Sequence, residues 1–221
     1  MTIRISDFET AIFDIDGTLI DSNRAHAETW ADAFRAHGLD VDANTIRPLI
    51  GMGGDKLLSK VADIDEESAL GKAIARRKQA LFAERLPMLH PTRGARPLVE
   101  FLRTSNIELA VATSADRNEM RALLRTAGLD DVFPIRSSKD DAEESKPHPD
   151  IVQAALHSAH ARARTTVMIG DTPYDIEAAG RADVKSIALR CGGYWSDADL
   201  NTATAIFDDP AELLAHFRSQ V

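Results

Sequence analysis

Four short stretches of the chain bring together residue types suited to chemistry at phosphorus. Asp14-Ile15-Asp16-Gly17-Thr18 sets two carboxylates two residues apart, followed by a glycine and a hydroxyl. Thr113-Ser114 offers two more hydroxyls, and Ser145-Lys146-Pro147-His148-Pro149 one ammonium group. Gly170-Asp171-Thr172 adds a third carboxylate, with Asp175 four residues beyond it. Carboxylates held close together repel and raise one another's pKa unless a cation neutralises them. A donor set of hard oxygens, without His or Cys, favours Mg²⁺, which takes one or two carboxylates, waters and a phosphate oxygen. Lys146 and the Thr113 hydroxyl suit the remaining oxygens of a phosphoryl group, and backbone N–H groups in the turn after Asp14 can add donors. Phosphoryl transfer asks mainly for positioning and charge neutralisation. An aspartate can serve as its nucleophile through an aspartyl-phosphate.

The elements that must position these residues are legible as short apolar runs. The runs are 10–14 (TAIFD), 107–112 (IELAVA), 132–135 (VFPI), 166–170 (TVMIG), 184–189 (VKSIAL) and 205–207 (AIF). They read as strands covered on both faces. Between them lie amphipathic segments at 97–105, 116–127, 149–159, 174–181 and 210–218. In the second of these, Met120, Leu123, Leu124 and Ala127 share a face, Asp116 can cap the start, Glu119 follows three residues later and Gly128 can end it. Alternation of strand and helix predicts an α/β, Rossmann-like parallel sheet with helices on both sides and right-handed crossovers. Ligands of such sheets bind outside the carboxyl ends of the strands, where the four stretches fall.

Residues 22–87 break the rhythm. Trp30 and Phe34 are four apart, as are Leu57 and Val61, and Leu70 and Ile74; no strand is convincing. Three or four helices are expected, inserted after the first strand as a helical cap domain. The catalytic core would then be discontinuous, built from residues 1–21 and 88–221. Residues 21–24 and 88–93 would be its hinges.

Composition bounds the rest. The chain has 221 residues, 44% of them hydrophobic and 28% charged, with a net charge of −9. That suits one globular core with an insert. It argues against nucleic acid or an anionic membrane as a partner. The single cysteine, Cys191, permits no intrachain disulfide and fits a reducing compartment. No long apolar leader or membrane-length run is visible, so a cytoplasmic monomer or homodimer is expected.

Taken together, the motifs resemble those of the haloacid dehalogenase superfamily, in its phosphatase branch with a helical cap after the first strand. FDIDGTLIDS resembles the first motif, VATSA the second, SKPHPD the third and IGDTPYDIEAA the fourth. The resemblance implies that Asp14 attacks phosphorus and that Asp16 acts as general acid and base. It implies that Gly17, Thr113, Ser114 and Lys146 bind the phosphoryl group. Mg²⁺ would be held by the Asp14 carboxylate, the Asp16 backbone carbonyl and Asp171, with Asp175 holding a metal-bound water or orienting Lys146. Dehalogenases of the superfamily resemble D-x-Y-G-T at this place and transport ATPases D-K-T-G-T; the acid at Asp16 fits neither. A sugar phosphomutase keeps that acid and is the runner-up. The cap loop GMGGDK lacks the arginine of the mutases, which lowers that reading. A phosphonate hydrolase would need a cap lysine such as Lys56. A non-catalytic member would have lost one of Asp14, Asp16, Lys146 or Asp171, and all four are present.

Substrate specificity is expected from His26, Met52, Asp55 and Lys56 in the cap, whereas Arg76-Arg77-Lys78 reads as a solvated face. The expected partner is a small phosphorylated metabolite, a phosphoglycolate-like acid or a sugar phosphate.

Overall fold

The computed structural model describes residues 3–220. β1 (Thr10–Phe13) is followed by α1 (Asn23–Arg35), α2 (Ala43–Ile46), α3 (Gly54–Ala62), α4 (Ala69–Arg85) and α5 (Ala95–Thr104). Then come β2 (Glu108–Ala112), α6 (Arg117–Thr126), β3 (Ile135–Ser137), α7 (Asp150–Ser158), β4 (Thr166–Gly170) and α8 (Pro173–Arg181). β5 (Lys185–Leu189), β6 (Ala205–Phe207) and α9 (Pro210–Arg218) complete the order. The strands form one sheet in the order β3-β2-β1-β4-β5-β6. Every pairing is parallel, and Phe13 faces Val111 on one side and Ile169 on the other. This is the expected α/β, Rossmann-like fold.

The two-residue period of β1 divides its side chains between two cores. Ala11 and Phe13 join Leu98 and Leu102 of α5, Leu123 and Leu124 of α6, and Leu213 and Phe217 of α9. Ile12 points the other way, to Ile151, Val152 and Ala155 of α7 and Ala178 and Ala179 of α8. With both faces covered, the central strands β1 and β4 are apolar after their first residue, Thr10 and Thr166. β1 is the switch point of the sheet: its neighbours β2 and β4 lie on opposite sides, which opens a crevice at its carboxyl end.

Helices α1–α4 build a cluster of their own around Trp30, Phe34, Ile46, Leu57, Leu58 and Ile74. Leu70, expected to pair with Ile74, instead lies exposed. The chain leaves and re-enters the core through adjacent segments, tied by Asp21 N–H to His90 O at 2.9 Å and Thr92 N–H to Leu19 O at 3.1 Å.

β3 begins later than the expected 132–135. Pro134 has no N–H to give a ladder, so pairing with β2 starts only after it, at Ile135. Val132 and Phe133 are buried, but as packing beneath β2 rather than as strand.

Phe34 is fully buried in the α1–α4 cluster. Phe34→Ala should lower stability by about 3–5 kcal/mol, since it deletes a ring from a closed core. A urea unfolding curve with an unchanged midpoint would contradict that packing.

Candidate active site

The crevice at the end of β1 gathers the four stretches. Asp14 follows β1 directly, and its N–H donates to Ile169 O at 2.9 Å, continuing the ladder to β4. Gly17 turns the chain with φ +74°, a left-handed conformation that disfavours a side chain. A Cβ there would also lie 2.3 Å from the Asp171 carboxylate, so glycine is required twice over. On the far side of Asp171, a Cβ on Gly192 would come within 1.9 Å of Oδ2. Asp171 is thus walled by bare backbone.

Lys146 is fully buried. Its Nζ donates to Asp14 Oδ1 at 2.6 Å, Asp175 Oδ1 at 2.7 Å and the Ala112 carbonyl at 2.9 Å. Asp175 is held in turn by the N–H and hydroxyl of Thr172, at 3.1 and 2.7 Å, as part of the capping box that starts α8. Asp171 accepts from Thr18 Oγ1 at 3.0 Å and Asn23 Nδ2 at 2.8 Å. Asp14, Asp171 and Asp175 bring carboxylate oxygens within 4.8 Å of one another. Asp16 points elsewhere: its Oδ1 accepts from Ser22 Oγ at 2.5 Å and lies 2.8 Å from His26 Nε2. His26 stacks on Phe82 with ring centroids 3.9 Å apart.

Environment separates the two motif aspartates. Burial pushes the Asp14 carboxyl up to about 8, against the pull of Lys146 and with the help of Asp175 and Asp16. Burial likewise lifts Asp171 well above the usual range, with Asp175 and Asp14 adding to it. Burial disfavours the Lys146 ammonium, but Asp14 and Asp175 outweigh that and hold its pKa above normal. Desolvation acts on the half-buried Asp16 too, yet His26, Ser22 and Lys78 more than offset it and leave its carboxyl below the ordinary value. Fully ionised, three carboxylates beside one ammonium group carry an excess charge of −2, the amount a divalent cation cancels, and without such a cation their raised pKa values record the repulsion.

A cavity of about 230 Å³ opens above Asp14, Asp16, Thr113 and Ser114, roofed by the helical insert. Of the expected specificity residues, His26 lines it. Met52 does not: it is buried, and the flanking Gly51 and Gly53 face the cavity in its place. Asp55 and Lys56 are turned to the rim, where Asp55 accepts from Ser145 Oγ at 2.9 Å and Lys56 donates to Ser145 O at 2.5 Å. From the first turn of α3 both side chains reach Ser145 on the opposing loop, and they latch the insert instead of lining its interior.

Lys78, expected on a solvated face, is buried in the cavity wall. It pairs with Glu119 at 3.0 Å and sits 4.7 Å from the Phe82 ring centroid. The signal was present in the sequence: Ile74, Lys78 and Phe82 recur every four residues, so Lys78 belongs to the inward stripe while Arg76 and Arg77 remain exposed. Asn23 and Gly192 carried no comparable signal, because their role depends on contacts with Asp171 far away in sequence.

A model of the haloacid dehalogenase-like hydrolases matches residues 11–189. The chain belongs to that family. A phosphoglycolate phosphatase of Colwellia psychrerythraea is 29% identical over 228 residues, covering 96% of this chain and 98% of its own. The pyrophosphatase PpaX of Oceanobacillus iheyensis is 28% identical over 205 residues, covering 90% of each. The crystal structure of a hydrolase from Pseudomonas syringae is similar with a TM-score of 0.88 and 27% identity, over 95% of this chain and 98% of that one. The protein is a haloacid dehalogenase-like phosphatase, with an acidic triad compatible with a divalent metal. Among the described residues, no helix is long and apolar enough to cross a membrane.

Asn23→Ala would remove the donor that fixes Asp171. With a divalent cation bound at the triad, it should weaken the apparent affinity for that cation by roughly 10–100-fold, the usual effect of losing such a partner. A metal titration of activity that superimposes on that of the parent would argue against this support.

Proposed function

We propose that the protein hydrolyses a small-molecule phosphate monoester, passing the phosphoryl group first to Asp14 and then to water. The observation that carries this reading is the division between two aspartates two residues apart. Asp14 lies against Lys146 inside the acidic triad, and Asp16 is held separately by Ser22 and His26. In this reading residues 22–87 act as the cap over a core of residues 1–21 and 88–221.

An Asp14 carboxylate oxygen attacks phosphorus and forms the new O–P bond while the bond to the ester oxygen breaks. That oxygen takes a proton from Asp16. The Asp16 carboxyl is positioned for this by Ser22 Oγ, which donates to it, and by His26 Nε2 at 2.8 Å. Asp16, now a carboxylate, then removes a proton from water as the water oxygen attacks phosphorus. The Asp14 O–P bond breaks, and phosphate leaves with the carboxylate restored. Lys146 and Thr113 hold non-bridging oxygens, joined by backbone N–H groups near Gly17 and Ser114. The residues present fit Mg²⁺, with Asp14, Asp171 and the Asp16 carbonyl as holders and Asp175 fixing Lys146. When bound, the ion supplies charge neutralisation to the carboxylates and to the phosphoryl oxygens.

No observation favours the mutase or phosphonate readings. The cap loop lacks an arginine, and Lys56 reaches Ser145 and Glu144 at the rim rather than the cavity.

Phosphate release from a panel of small esters should be detected with Mg²⁺ and vanish with EDTA. Asp14→Asn should reduce release to background with the fold intact, because an amide cannot form the acyl phosphate. Asp16→Asn should slow turnover by about 10²–10⁴-fold, the usual share of proton transfer. Turnover persisting in a verified Asp14→Asn preparation would defeat the nucleophile assignment.

A further inference from the structure

The part of the cavity that receives the leaving group has an unusual charge balance. Away from the reacting end its ionic lining consists of Glu66, Asp116, Glu119 and Asp140 against Lys78 and Lys139. Neither lysine is free. Lys139 pairs with Glu66 at 2.7 Å, and Lys78 pairs with Glu119 at 3.0 Å where both side chains are nearly buried. Lys78 is held further by the rings of Phe82 and Trp30, at 4.7 and 5.8 Å from their centroids. Among the described residues, the other two carboxylates meet no cation. Asp116 Oδ1 caps α6 through the N–H groups of Asn118 and Glu119, and its Oδ2 accepts from Gln79 Nε2 at 2.7 Å. Asp140 accepts from the Arg117 N–H at 3.0 Å.

We propose that the substrate is a monoester whose leaving group carries hydroxyl or ammonium donors and no second anionic group. This rests on the phosphatase reading above and deepens it. A carboxylate or second phosphoryl group in a cavity of about 230 Å³ would meet the half-buried Asp116 and, at the exposed mouth, Asp140, neither of which is paired with a lysine or arginine. To gain a cation it would have to take Lys139 from Glu66 or Lys78 from Glu119, the latter leaving a nearly buried carboxylate unpaired. Hydroxyl and ammonium groups instead find acceptors on every ionic side of the wall except the two paired lysines. The apolar faces of Trp30 and Leu57 supply the carbon-facing surface. The two relatives named above are called phosphatases of phosphoglycolate and pyrophosphate, both with anionic leaving groups. This wall sets the present chain apart from those names, and it counts against the phosphoglycolate-like acid expected from the sequence.

The test uses two pairs of esters matched in size: glycerol 3-phosphate against 3-phosphoglycerate, and ethanolamine phosphate against 2-phosphoglycolate. Two readouts are taken: kcat/KM with Mg²⁺ for the parent, and binding to Asp14→Asn by calorimetry. The first member of each pair should be favoured roughly tenfold or more in both, the scale expected of like charges meeting near a protein surface. The double variant Asp116→Asn/Asp140→Asn keeps acceptor oxygens for the α6 cap and the Arg117 N–H, and should narrow the gap in both pairs. Equal or reversed preference in the parent overturns the proposal, as does an unchanged gap in the variant. If the parent turns over no ester while Asp14→Asn binds with the stated preference, the hydrolytic mechanism fails and the proposal stands.

Discussion

Everything at this site depends on one buried ammonium group. Lys146 has no exposure to water, so its charge is tolerable only with close anionic partners. It meets them in Asp14 and Asp175 and completes its hydrogen bonds on the Ala112 carbonyl at the end of β2. One lysine therefore ties together the ends of β1 and β2 and the first turn of α8. The arrangement is overcharged by design, because Asp171 joins the same cluster and the lysine cannot balance three carboxylates. A site with an excess of two negative charges is a poor structural ion pair and a good receptor for a divalent cation with a phosphoryl oxygen.

The fold follows from the same need. Carboxylates kept this close must be carried by rigid elements, and adjacent parallel strands deliver them at a fixed spacing. Asp14 and Asp171 succeed β1 and β4, which pair directly, Phe13 opposite Ile169. The apolar residues of those strands are consumed by two cores, one on each face. Past their opening threonines, these two strands deliver polar residues only at their carboxyl ends. The glycines at 17 and 192 let backbone approach Asp171 where no side chain could fit.

Most of this was legible in the sequence because it is local. Asp14, Asp16, Gly17 and Thr18 are contiguous, and strand ends are recognisable from the apolar runs before them. The sheet, the helical insert and the meeting of Asp14, Lys146, Asp171 and Asp175 could be anticipated on that basis. β3 starts three residues beyond the start of the apolar run at 132–135, because Val132 and Phe133 are as apolar as strand residues while Pro134 lacks the N–H that the ladder needs. The insert was harder to read. Met52, Asp55 and Lys56 follow a glycine turn that turns one side chain inward and two to the rim, which residue type does not reveal.

Lys78 shows where such reading fails and why. A lysine between two arginines looks like a solvated face, and charge alone supports that. Periodicity disagrees, since Ile74 and Phe82 lie one turn away on either side and both are buried. Burial prevails because the aliphatic stem packs on aromatic rings while Nζ meets Glu119 from the core. That pair joins the insert to the core directly across the cavity. Its consequence reaches the chemistry at the other end: Lys78 also lowers the Asp16 carboxyl pKa, after His26 and Ser22. The insert therefore adds more than a roof. By bringing His26 and Lys78 toward Asp16, it holds that carboxyl below its ordinary pKa, while Asp14, beside Lys146, is pushed above it.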